Sequence, residues 1–376
     1  MFIVNQAILA PAGGRKTQRI VEACSEGTPS CSRLVVTFTS DAQEILISRL
    51  HLVCSADSTP EVLGWYGFLL RHIIRPYVNC LYDIDEVAGL HFVTRKDPST
   101  KASGKSRYFD SSGHAYSTRI SLLAMNIIKA TKGAPIDRLE RIYDEMYVDE
   151  IQDLTGNDLD ILDRLLSSKI DMTLVGDIRQ SLLATSRNDR RNLSYAGLNM
   201  IDWFRERADR GILQLIEETV SWRCSQEIID LADRVLPDGV FGATTSKASS
   251  AARGQHTGVW VVSREHAASY FTHYTPSVFR ESVRTRIPDG IHGAINFGHC
   301  KGMTVEHALI FPTKTMIDFL SGKVDSLADK SAARLYVAIT RAVYSVAIVV
   351  DNPENHDIPE WTPFFAGSYV RPDTHA

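Results

Sequence analysis

The chain has 376 residues, 44% of them hydrophobic and 23% charged, which is enough for a sizeable core and more naturally for two domains than one. The formal net charge is −4, so bulk positive charge does not drive binding to nucleic acid, and any such contact needs a local basic surface. The six cysteines form no CxxC pair and no His-interleaved spacing, which indicates reduced thiols rather than a metal or disulfide framework.

The N-terminal stretch MFIVNQAILA has no charged leader and runs straight into a Gly-rich loop, so it is predicted to be a strand and not a signal peptide. No segment is long and apolar enough to span a bilayer. We therefore expect a soluble, cytoplasmic protein without membrane contact.

Short apolar runs recur along the chain with helical stretches between them, and each ends in small, polar or acidic residues. Buried parallel strands have this pattern at their carboxyl ends. The runs are Ile8–Ala10, Leu34–Phe38, Met146–Val148, Met172–Val175, Val259–Val262, Ala308–Phe311 and Val346–Val350. We predict two α/β units with ligand chemistry at the strand ends and in the cleft between the units.

The loop after the first strand reads APAGGRKT. Backbone N–H groups of a Gly-rich turn at a helix N-terminus hold phosphates, and the following lysine adds a positive charge. The predicted nucleotide-binding residues are Ala10, Pro11, Ala12, Gly13, Gly14, Arg15, Lys16 and Thr17. The Thr17 hydroxyl is also predicted to hold Mg²⁺. Arg15 stands where the common pattern has glycine. If the position needs positive φ, a side chain there raises the free energy of the loop conformation by roughly 1–2 kcal/mol. Alternatively, the Arg15 side chain points away from the phosphates or adds positive charge to their site.

Two adjacent carboxylates, Asp149 and Glu150, end the third run in the sequence VDEIQD. We predict that Asp149 holds Mg²⁺ and that Glu150 orients the attacking water as a general base. In the following segment, LVGDIRQ, Gln180 is a candidate sensor of the γ-phosphate, with Asp177 positioning it. The competing interpretation is a solvated acidic turn followed by an ordinary exit from a strand.

The second half contributes candidate cations. Arg341 follows an apolar helix face in RLYVAITRA, and an arginine that reaches a γ-phosphate contributes on the order of 10³–10⁵ in rate. Arg223, which precedes a helical stretch, is a second candidate cation. The alternative interpretation of Arg223 is a surface or helix-capping residue. Lys301 and Gly302 lie in the segment that leads into the strand Ala308–Phe311 and are further candidates. The alternative interpretation of Lys301 is an ordinary solvated lysine.

Together, these segments resemble the motifs of UvrD/Rep-type superfamily 1 DNA helicases, in the family's order. The motifs carried by the resemblance are APAGGRKT (Walker A), VVTFTSDAQEI (Ia), VDEIQD (Walker B), LVGDIRQS (III), SWRCSQEI (IV), GHCKGMTVEHALIF (V) and RLYVAITRA (VI). The resemblance implies a P-loop NTPase with two RecA-like domains of parallel sheets flanked by helices. It also implies ATP and Mg²⁺ as ligands, catalysis by Glu150, Gln180, Arg223 and Arg341, and 3′→5′ movement on single-stranded DNA.

The expected domains are 1–205, with Walker A and B and a small insertion at about 85–140, and 206–376, with motifs IV to VI. The space between Arg223 and Lys301 has no room for the family's large 2B subdomain, so the resemblance is to a minimal form. ATP hydrolysis is therefore a firmer expectation than duplex unwinding.

Candidate DNA contacts are Thr37, Phe38, Thr39, Trp65 and Lys301. Phe38 at a strand end and Trp65 in a helical stretch are each open to a second interpretation as core residues. The basic stretch Thr94–Gly113 is either a backbone contact or a solvated face.

Two functions remain open from the sequence. The first is an ATP-driven single-stranded DNA translocase or helicase. The second is a nucleotide-dependent regulatory switch with weak ATPase activity that signals to a partner such as a nuclease, for example in repair or antiphage defence. Three features favour this second function: Arg15, the missing 2B subdomain, and the continuation of motif III as SLLATSRNDRR, which lacks the aromatic residues that usually stack on bases in the family.

Overall fold

The computed structural model describes residues 5–28, 30–55, 58–84, 86–93, 101–182, 189–249 and 256–363. The chain divides into two compact units. Unit 1 comprises Met1–Ala10 and Arg15–Glu218, and unit 2 comprises Pro11–Gly14 and Thr219–Ala376. Each unit is built on a parallel six-stranded sheet flanked by helices. The predicted α/β class with two RecA-like sheets is confirmed.

The sheet of unit 1 contains the strands that carry the first half of the sequence motifs. Its strands are β1 (Gln6–Leu9), β2 (Arg33–Thr37), β3 (Glu61–Gly64), β6 (Glu145–Val148), β7 (Asp171–Gly176) and β8 (Gln214–Glu217). Their order is β3-β2-β6-β7-β1-β8, and every neighbouring pair is parallel. The carboxyl ends of β1, β6 and β7 therefore lie next to one another on the same side of the sheet.

Helices cover the sheet of unit 1. They are α1 (Lys16–Glu26), α2 (Ser40–Val53), α3 (Trp65–Phe68), α4 (Arg75–Tyr77), α5 (Ile120–Ala130), α6 (Ala134–Leu139), α7 (Asn157–Leu166) and α8 (Met200–Asp209). A π-helical segment, Leu69–Ile74, joins α3 to α4. Helix α1 buries Ile20, Val21 and Cys24 in a cluster that includes Val35 of β2 and Val175 of β7. This packing fixes the start of α1 over the strand ends.

The predicted insertion at about 85–140 contains a small two-stranded sheet, β4 (Gly89–His91) and β5 (His114–Tyr116), followed by α5 and α6. The division between the two units falls at Glu218/Thr219, whereas the sequence placed it at 205/206. The physical reason is β8, which follows α8 and pairs in parallel with β1.

Unit 2 contains a six-stranded sheet and a separate two-stranded pair. Its strands are β9 (Val220–Ser221), β10 (Thr245–Ser246), β11 (Gly258–Ser263), β12 (Ser277–Arg280), β13 (Ile295–Asn296), β14 (Val305–Phe311), β15 (Ala342–Val350) and β16 (Glu360–Trp361). Its helices are α9 (Gln226–Arg234), α10 (Ala267–Tyr274), α11 (Lys314–Leu320) and α12 (Asp329–Ile339). The large sheet has the order β13-β12-β14-β15-β11-β16, and β9 pairs with β10. Its central strands, β14 and β15, are lined by buried aliphatic side chains.

All six cysteines are free thiols. Burial raises the pKa of Cys224 and of Cys300 to about 11, so both remain neutral near pH 7. Within the described part of the chain, no helix combines the length and apolar character that a membrane span requires.

Candidate nucleotide site

The start of α1 has the features of a phosphate-binding helix terminus. Strand β1 ends at Leu9, the Ala10 amide donates to the Gly176 carbonyl (3.0 Å), and α1 begins at Lys16. The first turn of α1 carries no acidic side chain. Because the N-terminal end of a helix is electropositive, this terminus favours an anion.

Arg15 is the N-cap residue of α1 and adopts the left-handed conformation, with φ 56° and ψ 28°. This conformation is the one in which the sequence predicted a penalty for a side chain. A residue with a Cβ atom pays roughly 1–2 kcal/mol there, whereas glycine does not. The exposed Arg15 side chain therefore stands on a strained backbone position at the entrance to the helix.

Lys16 folds back over the loop. Its Nζ donates to the Ala10 carbonyl (3.1 Å) and lies 3.9 Å from Oδ2 of Asp177, and the side chain is 12% exposed. The ammonium is thus held within unit 1 between the end of β1 and the residue after β7. A charge in this position can meet a phosphate bound at the start of α1.

Thr17 and Asp149 form a pair of oxygen ligands. The Thr17 hydroxyl donates to Oδ2 of Asp149 (3.1 Å), and Oδ1 of Asp149 accepts from the Glu150 amide (2.9 Å). Burial and the neighbouring Glu150 raise the pKa of Asp149 to about 6, against the opposing effects of the Glu150 amide, Lys16 and Thr17. One hydroxyl and one carboxylate fit Mg²⁺, which binds through few protein oxygens and takes others from water and phosphate.

Glu150 follows β6 in a left-handed conformation (φ 57°, ψ 39°), which turns the chain sharply after Asp149. A glutamine absent from the predicted site, Gln152, links Glu150 to the end of the next strand. Its Nε2 donates to Oε2 of Glu150, and its Oε1 accepts from the Asp177 amide (3.0 Å). The pattern VDEIQD, in which a glutamine stands two residues after Glu150, is the sequence feature that could have identified Gln152. Its side chain positions Glu150 relative to the backbone at Asp177.

Gln180 lies in the same network. Its Nε2 donates to Oδ2 of Asp177 (2.6 Å), the carboxylate that also faces Lys16. Gly176 allows this arrangement, because a Cβ atom there would lie 2.5 Å from Oε1 of Gln152. Lys16, Gln152 and Gln180 therefore meet around Asp177 at the adjoining ends of β1, β6 and β7.

The loop segment Pro11–Gly14 groups with unit 2. The Ala12 amide donates to the hydroxyl of Tyr336 (3.2 Å), and the Ser221 hydroxyl donates to the Ala12 carbonyl (2.7 Å). All three residues are buried, at 1%, 1% and 0% exposure for Ala12, Tyr336 and Ser221. Both polar groups of the Ala12 backbone are thus bound by side chains, Ser221 from β9 and Tyr336 from α12.

Gly13 makes a close contact in the same unit. Its carbonyl accepts from the Trp222 amide (3.0 Å), and its φ is 76°. A Cβ atom at Gly13 would lie 2.6 Å from Cβ of Arg223 and 2.8 Å from Oγ of Ser221. Glycine is therefore required here both by its backbone conformation and by the space.

Arg223 and Arg341 meet around Thr340 in unit 2. Arg223 Nη1 donates to the Thr340 carbonyl (3.2 Å), and Arg341 Nη2 donates to Oγ1 of Thr340 (3.2 Å). Arg341 is 2% exposed and also donates to the Val337 carbonyl (3.0 Å). Burial, followed by repulsion from Arg223, lowers the pKa of Arg341 to about 10, which leaves it charged near pH 7. The two guanidinium groups create a local positive potential.

Lys301 and Gly302 lie in the turn before β14, where Gly302 has a φ of 86°. Lys301 is half-buried and Gly302 is exposed. Their predicted contacts with DNA and nucleotide remain predictions.

The candidate DNA residues occupy different surroundings. Thr37 is 1% exposed, and within the described residues its hydroxyl makes no hydrogen bond. Phe38 is half-buried, and Thr39 caps α2 by accepting from the Ala42 amide (3.2 Å). Trp65 is 1% exposed and donates from Nε1 to the buried Asp158 (2.7 Å), so its surroundings are those of the core interpretation.

Two further sequence interpretations lie partly outside the described residues. In the basic stretch, 94–100 is outside them, while Lys105 donates from Nζ to the Asp83 carbonyl (3.0 Å). The continuation of motif III at 183–188 is also outside them.

No protein-family model matches the chain, and no curated protein matches it. Among solved structures, it is similar to arterivirus nonstructural protein 10, a helicase, in complex with DNA. The sequence identity is 15% and the TM-score 0.44, and the match covers 93% of this chain and 62% of that one. It is also similar to the structure of arterivirus nonstructural protein 10 alone, with 16% identity, a TM-score of 0.46, and coverage of 93% of this chain and 61% of that one. A third similar structure is PRRSV nsp10, a helicase, with 17% identity, a TM-score of 0.24, and coverage of 96% of this chain and 59% of that one. The chain spans less than two thirds of these proteins.

Proposed function

We propose that this chain is an ATP-driven motor of the superfamily 1 helicase class, of UvrD/Rep type, which translocates on single-stranded DNA. The observation that carries the proposal is the convergence in unit 1 of Lys16, the Thr17–Asp149 oxygen pair and the Asp177–Gln180 pair at adjoining strand ends. A Lys on a Gly-rich loop, a Thr–Asp pair for Mg²⁺ and an adjacent carboxylate are the parts that phosphoryl transfer requires.

Each residue has an assigned task. Lys16 and the amides at the start of α1 bind the phosphates, and Thr17 and Asp149 hold Mg²⁺, which when bound neutralises phosphate charge. Glu150, held by Gln152, accepts the proton of the attacking water. Gln180, held by Asp177, contacts the γ-phosphate.

The arginines and the loop before β14 belong to the same proposal. Arg223 and Arg341 stabilise the negative charge that develops on the transferred phosphoryl group, and Gly302 contributes to nucleotide binding. Thr37, Phe38, Thr39 and Lys301 contact the DNA.

Steady-state ATP hydrolysis with and without oligo(dT) tests this function. We expect strong stimulation by oligo(dT), and we expect Lys16→Ala and Glu150→Gln each to reduce the stimulated rate by at least about 10²-fold, because each removes a group that acts on the reacting phosphate. Matched controls are Lys129→Ala and Glu26→Gln, which remove exposed charges of the same type elsewhere in unit 1. Equal rates for Lys16→Ala and the unaltered protein would rule the proposal out.

A second function is a nucleotide-binding switch with weak ATPase activity that signals to a partner such as a nuclease. The specific observation in its favour is the left-handed backbone of Arg15 at the start of α1, where glycine is the unstrained residue. Tight ATP binding with little turnover, unchanged by oligo(dT), would favour the switch over the motor.

A further inference from the structure

Arg179 is a buried cation beside the candidate site. It lies in the short 3₁₀ turn Ile178–Gln180, which follows β7, and it is 5% exposed. Its Nη1 lies 3.8 Å from Oδ1 of Asp177, and its amide donates to the same oxygen (3.2 Å). Because burial of a charge is costly unless the charge is paired, the Asp177 carboxylate stabilises the guanidinium group in this position.

The two oxygens of the Asp177 carboxylate face different groups. Oδ1 faces Arg179, whereas Oδ2 lies 3.9 Å from Nζ of Lys16 and accepts from Nε2 of Gln180 (2.6 Å). The side chain of Asp177 is fully buried. One carboxylate therefore attracts two cations, one on each oxygen, in surroundings where water screens their charges weakly.

The two cations differ in their freedom to leave Asp177. Lys16 lies at the start of α1, and its Nζ also donates to the Ala10 carbonyl in the phosphate loop (3.1 Å). A lysine ammonium is a compact charge on a flexible stem, so it can turn toward a phosphate. Arg179 is only two residues from Asp177 in the same turn, and its own amide binds that carboxylate. A phosphate that attracts Lys16 therefore leaves Asp177 beside Arg179.

Resting on the proposed function, we propose that Arg179 is a positioning residue for nucleotide binding. It supplies the positive charge that compensates Asp177 when Lys16 turns from this carboxylate to the phosphates of ATP. Without Arg179, the departure of Lys16 leaves a buried carboxylate less well compensated, so Asp177 retains Lys16 more strongly and ATP binds more weakly. In this role Arg179 acts through Asp177 and not through its own contact with the nucleotide.

The test is the affinity for a fluorescent, non-hydrolysable ATP analogue, mant-AMPPNP, with Mg²⁺, so that it does not depend on turnover. Arg179→Gln is expected to weaken binding by about tenfold or more, because one of the two charges beside Asp177 is lost. Arg179→Lys keeps the charge and should weaken binding by less than about threefold. Arg164→Gln, which removes an exposed guanidinium group from α7, is the control and should bind as the unaltered protein does.

A double-mutant cycle separates an effect through Asp177 from a direct contact and from a general loss of structure. Asparagine at this position has no charge that retains Lys16. Adding Arg179→Gln to Asp177→Asn should therefore change the affinity by less than about twofold. A further tenfold loss in that double variant would assign Arg179 to a direct nucleotide contact or to folding, and would overturn the proposal. A tenfold loss in Arg179→Lys would overturn it as well, because that variant keeps the charge.

The outcomes for this inference and for the proposed function are distinct. Unchanged affinity in Arg179→Gln, with hydrolysis still stimulated by oligo(dT), would remove the role of Arg179 and retain the motor. A protein that shows the Arg179 dependence without oligo(dT) stimulation would retain this inference and lose the motor. A protein that does not bind the analogue would lose both.

Discussion

The residue at the start of α1 is the point where this chain departs most clearly from an unstrained phosphate loop. Arg15 holds φ 56° at a helix cap. Replacement by glycine removes a penalty of roughly 1–2 kcal/mol but increases the freedom of the unfolded chain by about 0.4–1 kcal/mol. We expect Arg15→Gly to raise the free energy of unfolding by about 0.5–1 kcal/mol, measured by urea denaturation.

Arg15→Ala is the matched control, because alanine keeps the strained backbone and removes only the guanidinium group; it should give no gain. If the strain impairs the loop, Arg15→Gly should also raise ATP turnover. An unchanged or lower turnover would defeat that explanation.

Tyr336 binds the buried amide of Ala12 through its hydroxyl. Tyr336→Phe keeps the ring but leaves a buried N–H without its acceptor, which costs about 1–3 kcal/mol. We expect this loss in the free energy of unfolding, together with a higher KM for ATP, because the loop Pro11–Gly14 loses a fixed point. Tyr344→Phe, at a half-buried position on β15, controls for removal of a hydroxyl. Identical stabilities of the two variants would contradict the assigned contact.

Gly176 ends β7 where the chain after β6 passes closest. A Cβ atom would lie 2.5 Å from both Cγ2 of Ile151 and Oε1 of Gln152. Gly176→Ala should therefore destabilise the protein by about 1–3 kcal/mol and lower ATP turnover by displacing Gln152. Gly67→Ala places the same methyl group where, among the described residues, no atom lies within 4 Å apart from its chain neighbours and the backbone of its own helix. Equal turnover and melting temperature in the two variants would show that the close approach does not matter.

At the scale of elements, the apolar runs predicted the central strands well, because buried parallel strands are apolar on both faces. The seven predicted runs fall in β1, β2, β6, β7, β11, β14 and β15. Only two of them extend one residue beyond the strand: the first to Ala10, after β1, and the second to Phe38, after β2. Strands β3 and β8 gave no such signal, since they lie at the two edges of their sheet and are only partly buried.

Helix ends were less predictable than strands. The sequence Ser40-Asp41-Ala42-Gln43 has the pattern of a capping box, which favours a cap at Ser40, but the structure uses Thr39, whose hydroxyl accepts from the Ala42 amide. The residues from Pro135 to Glu145 favour a helix that leads into the acidic strand, but α6 ends at Leu139, and Glu145 instead begins β6 through its pairing with Arg33. Local propensity does not register such long-range pairing.

The packing of α10 against the sheet of unit 2 has a pH-dependent consequence. His256 stacks on Tyr274 at 3.9 Å between ring centroids and bonds to the Tyr270 hydroxyl (2.9 Å). Burial, followed by repulsion from His307 and His273, lowers the pKa of His256 to about 4. Between pH 6.5 and 4 the unfolded chain therefore binds a proton that the folded chain does not, so stability falls as the pH falls through this window.

Urea denaturation across pH 4.5–7.5 measures this effect. His256→Phe keeps a ring for stacking and cannot be protonated, so its stability should fall less steeply below pH 6.5 than that of the unaltered protein. Parallel curves for the two proteins would contradict the role assigned to His256.

For the whole molecule, sequence order and sheet order together explain why the candidate site in unit 1 was predictable. Lys16, Asp149 and Gln180 follow strands that are neighbours in a parallel sheet, so their side chains share one edge. The bond from Ala12 to Tyr336 was not predictable, since it joins residues 324 positions apart and no local pattern records it. Burial of Trp65 depends in the same way on a distant partner, Asp158.

The central claim is that ATP consumption drives movement along a single strand, and the dependence of turnover on strand length tests it most directly. Saturating oligo(dT) of increasing length should raise kcat until a plateau, because a moving protein spends less time dissociating from the ends of longer strands. A kcat that is independent of length, or not stimulated at any length, would contradict the motor.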